Sequence, residues 1–198
     1  MSQFLETIKL NNGVFERLSL HQSRLEIAMN DFYPEVEPVN LTESLENLIY
    51  PKNGLYKCRI IVDKEIKFIE FLPYNPPIIK SLKIIKTEIP SIQYKMADRS
   101  NYQFEFAKRN ECDDVLLVKN GFLTDTSYCN IALYDGNKWF TPRYPLIAGV
   151  NRAQLLNEEQ IFLKDIKLDE LLNFQYINLF NALNEFGSIQ LEVSSIVR

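Results

Sequence analysis

The order of apolar and polar residues divides the chain into short elements of two different periods. FLETIKL (residues 4–10) reads as a strand, and NNGVFER as a turn, because Asn-Asn-Gly favours a tight hairpin. In SLHQSRLEIAMNDFY, Leu20, Leu25, Ala28, Met29 and Phe32 recur at helical intervals, and the run ends before Pro34. TESLENLIYP predicts a second helix, with Thr42 as its cap and Pro51 as its stop. LYKCRIIVD and EIKFIEFLPY follow as strands joined by a short charged turn. Paired prolines in YNPPIIKS end regular structure and mark a linker.

Beyond the linker, LKIIKTEI predicts another strand, and RSNYQFEFAKRN a helix with Tyr102, Phe106 and Ala107 on one side. Residues 113–142 read as short strands broken at Asn120-Gly121 and Asp135-Gly136, both good hairpin turns. NRAQLLNEEQI and LDELLNF look helical, and QYINLFNAL and SIQLEVSSI close the chain as strands. The pattern predicts an α+β chain: a small N-terminal domain (1–77), a linker (78–83) and a larger β-rich domain (84–198) built on antiparallel pairs.

Composition narrows the chemistry. A formal net charge of −4, with cations scattered along the chain, argues against a nucleic-acid partner. No apolar run reaches 18 residues, so no membrane helix is expected, and Glu6 interrupts any signal-like start, which predicts a cytoplasmic protein. Cys58, Cys112 and Cys129 lack CxxC spacing and read as reduced, mostly buried thiols. With His21 the only histidine, a Cys/His zinc site and most triads are excluded; His21 itself reads as a structural hydrogen-bonding residue. No G-x-S-x-G, G-x-G-x-x-G or P-loop pattern occurs. The reactive group is then expected to be a lysine, a carboxylate or a borrowed cofactor.

Four features remain. Lys95 stands at a strand-to-helix transition with Arg99 four residues later; Asp125 lies in LTDTSYCNI; Gly149 opens a helix in TPRYPLIAGVNRAQLL; and Arg24 sits in HQSRLEIA. In this order they resemble the class IV aminotransferase family, whose members read ETI…G…H..RL, then K…R, TE.S..NI and TP….L.G.TR..LL. Within it the resemblance is closest to the aminodeoxychorismate lyases, supported by INLFNALNEF (177–186). It covers residues 4 to 186. It implies a two-domain D-amino-acid-aminotransferase-like fold with a small N-terminal α/β domain and a barrel-like, strand-rich second domain. It also implies pyridoxal 5'-phosphate as cofactor.

The resemblance implies Lys95 as the catalytic lysine that bonds to the cofactor. Burial at the end of a strand would favour its neutral amine. Asp125 would keep the pyridine nitrogen protonated. The family has Glu there, so the ring must sit closer or the contact be longer. Gly149, Val150 and Asn151 would present a close approach and helix-start amides to the phosphate, with Asn151 and Gln154 also fitting an N-x-x-Q capping box. The family has Thr in place of Asn151. Arg24 would fork the phosphate, and Asn181 would supply another polar group nearby. Arg99 and Tyr128 are candidate substrate residues, although Arg99 could equally stabilise its own helix start or pair with Glu105. Tyr102 and Phe106 read as core, and Tyr128 and Asn130, near Asp125, are placed to line the site, although one of each adjacent pair on a strand points away from it.

The resemblance implies a lyase forming 4-aminobenzoate and pyruvate, a homodimer, and a functional link to aminodeoxychorismate synthase. The alternatives are an aminotransferase acting on D-amino or branched-chain amino acids, and a dimeric binding protein that has lost catalysis. The last is motivated by a start shorter than that of relatives, which carry one more strand before ETI.

Overall fold

The computed structural model describes residues 2–197. Its backbone divides into two compact units, Met1–Pro76 with Gln93–Asp98, and Pro77–Ile92 with Arg99–Arg198.

In the first unit, β1 (Phe4–Asn11) turns through Asn12 and Gly13, both at positive φ, into the short β2 (Val14–Phe15). This is the hairpin that Asn-Gly encodes, since the mirror-image turn needs two residues tolerant of positive φ. Helix α1 (Leu18–Phe32) and the short α2 (Leu41–Glu46) follow, then β3 (Leu55–Val62) and β4 (Ile66–Pro73). The sheet order is β2-β1-β3-β4, all antiparallel, with Phe4 opposite Val62 and Asn11 opposite Leu55. Phe4 and Ile8 of β1 pack with Leu25, Ala28 and Met29 of α1 and with Cys58 and Ile60 of β3.

Two details of the helices differ from the sequence pattern. The buried stripe of α1 is His21, Leu25, Ala28 and Met29, while Phe32 is exposed. His21 enters the stripe because a partner awaits it on β1. The cap of α2 is Asn40, which accepts from the Glu43 N–H, not Thr42, and the helix stops at Glu46, well before Pro51.

The second unit holds two sheets. One has the order β13-β5-β6-β7, from β5 (Leu82–Lys86), β6 (Asp114–Lys119), β7 (Phe122–Leu123) and β13 (Ile196–Val197). The other has the order β10-β9-β8-β11-β12, from β8 (Asn130–Tyr134), β9 (Trp139–Pro142), β10 (Phe162–Lys164), β11 (Tyr176–Phe180) and β12 (Gln190–Glu192). Helix α3 (Ser100–Ala107) precedes β6, and α4 (Val150–Asn157) follows β9. Leu116 and Val118 of β6 pack with Ile131, Leu133, Ile177 and Leu179 of the other sheet. The opposite face of β6, Val115 and Leu117, packs with Tyr102 of α3 and Leu146. Ala132 of β8 and Phe180 of β11 pack with Leu155 of α4. Strands covered on both faces read as unbroken apolar runs, which is why alternation is weak there.

The expected antiparallel build holds only in part: β5 runs parallel to β6 and β13, and β10 parallel to β9. These pairs join segments far apart in sequence, and no local turn signals them. LDELLNF is 3₁₀ rather than α, and SIQLEVSSI is split by a 3₁₀ turn at Val193–Ser195. Among the described residues no helix is long and apolar enough to cross a membrane, and Cys58, Cys112 and Cys129 are free.

Candidate functional site

In the first unit, the open edge of β1 receives the segment that carries Lys95. Leu5 N–H donates to Lys95 O and Ala97 N–H to Gln3 O, both at 2.8 Å, and Phe4 bridges Met96. This register sets Lys95 opposite Leu5, so strand alternation sends its side chain to the face carrying Thr7. Lys95 Nζ donates to Thr7 Oγ1 at 3.0 Å. Tyr94 and Met96 point the other way and join Phe4 and Ile8 in the core. The sequence division placed Lys95 in the second domain; pairing with β1 instead groups Gln93–Asp98 with the first unit.

Glu6 lies on the α1-facing side of β1, between Phe4 and Ile8, and is 2% exposed. A carboxylate there must be paired. Its Oε1 accepts from Arg24 Nε at 2.9 Å and its Oε2 from Arg24 Nη2 at 2.5 Å, while His21 Nδ1 lies 2.5 Å from Oε2. Burial alone would raise Glu6, but the Arg24 charge and the His21 hydrogen bond outweigh it and hold the carboxyl at about 2. Burial pulls His21 below its ordinary value against the pull of Glu6. The ring is therefore neutral, with Nδ1–H donating to Glu6. Lys95 is among the charges felt by His21. Arg24, expected at the phosphate, thus has the plane of its guanidinium set by Glu6.

This pairing has a measurable consequence. A carboxyl depressed from 4.5 to about 2 contributes stability above pH 4.5, and loses it as pH falls toward 2. The size is about 3 kcal/mol. Urea unfolding of Glu6→Gln at pH 7 should show a loss of about 3 kcal/mol, with a flatter acid limb than the parent protein. An unchanged acid limb would remove Glu6 as its source.

In the second unit, Asp125 stands on the turn after β7, fixed by Leu117 N–H donating to its carbonyl at 2.8 Å and by a bridge to Asn130. Its Oδ1 accepts from Asn130 Nδ2 at 2.7 Å, and its Oδ2 from the N–H groups of Leu146 (2.6 Å) and Ile147 (3.1 Å). Burial pushes the carboxyl up to about 6 against these donors and the charge of Arg152. Asn130 also donates to Ile147 O at 2.8 Å, so one amide ties the Asp125 turn to the loop entering α4.

Gly149 is the N-cap of α4, with φ −73° and ψ 146°, a conformation open to any residue. Space demands the glycine: a Cβ there would lie 2.1 Å from Asn130 Oδ1. The close approach at this position is thus made by Asn130. No side chain caps α4. The expected Asn151–Gln154 capping box is absent, because Asn151 Nδ2 donates to Asn181 O (2.8 Å) and Asn184 O (3.3 Å), and Gln154 donates to Glu158. Asn151 therefore offers the helix start its backbone N–H, as does Val150. Arg152 anchors the first turn to β9 through Thr141 Oγ1 and Pro142 O. The Asn181 side chain organises its own turn: Oδ1 accepts from Leu183 and Asn184, and Nδ2 donates to Tyr128 O and Cys129 Sγ.

Arg99 stacks on Tyr102, with Cζ 3.6 Å from the ring centroid, and donates to Ser127 O at 3.2 Å. Glu105, its expected alternative partner, is taken by Lys108 and Thr87. Tyr128 is 59% exposed and packs edge-on to Phe106.

The residues fit pyridoxal phosphate in their donor set. Asp125 is a buried carboxylate with no cation in ion-pair range among the described residues, and three N–H donors leave Oδ1 able to accept one more. A protonated ring nitrogen is such a donor. An uncapped helix start suits a phosphate, and a half-buried amine suits a carbonyl carbon. Glu6 and Thr7 are the residues that sequence reasoning missed; Asn130 was legible there as a residue that could line the site, through its place five residues after Asp125, across a turn.

A family model described as amino-transferase class IV matches residues 3–191. A Haemophilus influenzae protein of uncharacterized function is 32% identical over 186 residues, 93% of this chain and 99% of that one. A Haemophilus somnus crystal structure provisionally named 4-amino-4-deoxychorismate lyase aligns with TM-score 0.86 and 28% identity, over 93% of this chain and 98% of that one. A Mesorhizobium loti structure, provisionally an amino-acid aminotransferase, aligns over all of both chains with TM-score 0.79 and 21% identity, and so speaks for the fold alone.

Proposed function

The chain belongs to the class IV aminotransferase family, and from that membership we propose that it is a pyridoxal-phosphate-dependent lyase converting 4-amino-4-deoxychorismate to 4-aminobenzoate and pyruvate. The observation that carries the lyase reading is the similarity, over nearly the whole chain, to the Haemophilus somnus protein of that provisional name.

When bound, the cofactor supplies an electron sink for the substrate's α-carbon. Lys95 would hold it through Nζ, and the same nitrogen would serve as general base for the substrate's α-proton. Thr7 Oγ1, 3.0 Å away, orients that nitrogen. Asp125 keeps the ring nitrogen protonated, and the bonds from Asn130, Leu146 and Ile147 hold the carboxylate in place. The N–H groups of Val150 and Asn151 would receive the phosphate; Arg24, whose Nε and Nη2 donate to Glu6, is assigned to the phosphate by the family pattern alone. Gly149 leaves room for Asn130, and Asn181 supports the α4 start through its bond with Asn151.

The test is pyruvate release from aminodeoxychorismate by purified protein with pyridoxal phosphate. Pyruvate and 4-aminobenzoate should form in equal amounts with no keto acid added. Turnover that requires a keto-acid acceptor would replace this reading with amino transfer. No turnover, with no lysine labelled by borohydride, would leave a binding protein. The same reading carries a homodimer, which light scattering of the purified protein checks.

A further inference from the structure

Lys95 lies in Gln93–Asp98, a segment outside the named strands and helices, whose chain neighbours Ile92 and Arg99 belong to the second unit. The segment is held on the open edge of β1 by the backbone bonds from Leu5 to Lys95 O and from Ala97 to Gln3 O, with a bridge between Phe4 and Met96. The register that these few bonds set has a large consequence. A slip of one residue along β1 would turn Lys95 from the Thr7 face into the core against α1.

The last turn of α1 carries a latch that opposes this slip. Asp31 Oδ2 accepts from Tyr94 Oη at 2.5 Å and from Gln93 Nε2 at 3.2 Å, and the Gln93 amide also lies 3.1 Å from Tyr94 Oη. The Tyr94 ring meets Phe32 edge-on, with centroids 5.3 Å apart at 88°, and lies 6.3 Å from Phe4. A phenylalanine ring would pack there as well, so what the hydroxyl adds is its bond to Asp31. Tyr33, the C-cap of α1, donates Oη to Ser2 O at 2.5 Å. The end of α1 thus grips both the start of β1 and the segment that pairs with it.

Asp31 and Gln93 are exposed, so neither fills the core. Water competes for such groups, and their bonds add little to folding stability. What they fix is direction. Tyr94 and Lys95 are adjacent in extended chain, so their side chains leave on opposite faces. Tying the Tyr94 hydroxyl to α1 therefore fixes where the Lys95 stem starts on the Thr7 side. That stem is long and flexible, so the place of its nitrogen depends on a fixed origin.

We propose that Asp31, acting through Tyr94 and Gln93, is a positioning residue for the Lys95 amine. The proposal rests on the reading of Lys95 as the lysine that bonds to the cofactor.

The test is the rate at which pyridoxal phosphate, trapped with borohydride, labels Lys95 in the full chain, followed against cofactor concentration. In Tyr94→Phe and in Asp31→Ala the maximal labelling rate should fall roughly five- to twentyfold, because a reacting nitrogen held off its place reacts more slowly. The half-saturating concentration should change by less than about twofold, since neither residue is assigned to the phosphate. Asp31→Asn, which keeps an acceptor oxygen, should hold the rate to within about threefold of the parent. The double variant should be no slower than the slower single one, as befits two ends of one bond. Glu35→Gln, which breaks the exposed pair with Lys64 beyond α1, removes a surface charge of the same kind and should leave the rate unchanged. Tyr94→Phe, which keeps the ring, carries the test if Asp31→Ala does not fold. Labelling of the parent that neither Tyr94→Phe nor Asp31→Ala slows would overturn the proposal alone, as would equal slowing by Glu35→Gln. No labelling of Lys95 in the parent would remove Lys95 from the cofactor site and the proposal with it.

Discussion

Lys95→Ala is expected to lower the lyase rate by at least about a thousandfold, because one side chain is assigned both cofactor attachment and proton transfer. The fold should survive the change. The hydrogen bonds that hold the segment to β1 come from the Lys95 carbonyl and the Ala97 amide, and neither involves the side chain. The bond from Nζ to Thr7 lies at a half-buried position, and losing it should cost about 1 kcal/mol. Three readouts separate this outcome from simple unfolding. The thermal midpoint should stay near that of the parent. Borohydride treatment with pyridoxal phosphate should label residue 95 in the parent and leave the variant unlabelled there. Lys95→Arg should match alanine in activity despite keeping the charge. Activity retained in Lys95→Ala would remove Lys95 from the mechanism, whatever the family pattern suggests.

Gly149→Ala should be the most damaging single-methyl addition near the site. The new Cβ would lie 2.1 Å from Asn130 Oδ1. Asn130 has no room to yield without cost, since its Nδ2 bonds Asp125 at 2.7 Å and Ile147 O at 2.8 Å. Either the start of α4 moves, or Asn130 leaves and a buried carboxylate loses a donor. Overpacking of this kind costs about 1–3 kcal/mol, and a lost bond to a buried charged group adds a similar amount. A loss of about 3 kcal/mol in urea unfolding is therefore expected, with at least tenfold weaker cofactor binding. The partner residue gives an internal control. If the overlap is the cause, Gly149→Ala added to Asn130→Ala should cost less than about 0.5 kcal/mol more. Additive losses would show that Gly149 is required for a reason other than Asn130.

These two residues illustrate how differently the site was written in the chain. Lys95 and Asp125 became site candidates through the order of the motifs that resemble the family's; by local pattern alone Lys95 reads as a surface lysine and Asp125 as a turn residue. What the pattern did not show was their support. Glu6 reads as a polar position in a strand, and only the packing of α1 onto β1 turns it into the partner of Arg24 and His21. Asn130 looks like the first residue of an apolar strand, and only the loop before α4 brings Gly149 and Ile147 against it. Asn151 was assigned a cap by its spacing to Gln154. The turn after β11 draws its side chain away to Asn181 and Asn184 instead.

The sequence by itself determined most of the local elements and the hairpins at Asn12-Gly13 and Asn120-Gly121. Each depends on residue type and short-range spacing: positive φ at a turn and period at a helix. The tertiary structure alone decided the parallel pairing of β5, β6 and β13, the grouping of Lys95 with β1, and the stacking of Arg99 on Tyr102. Those features depend on which distant segments share a sheet edge or a core, and burial then decides which polar groups must be paired. No window of neighbouring residues contains that information.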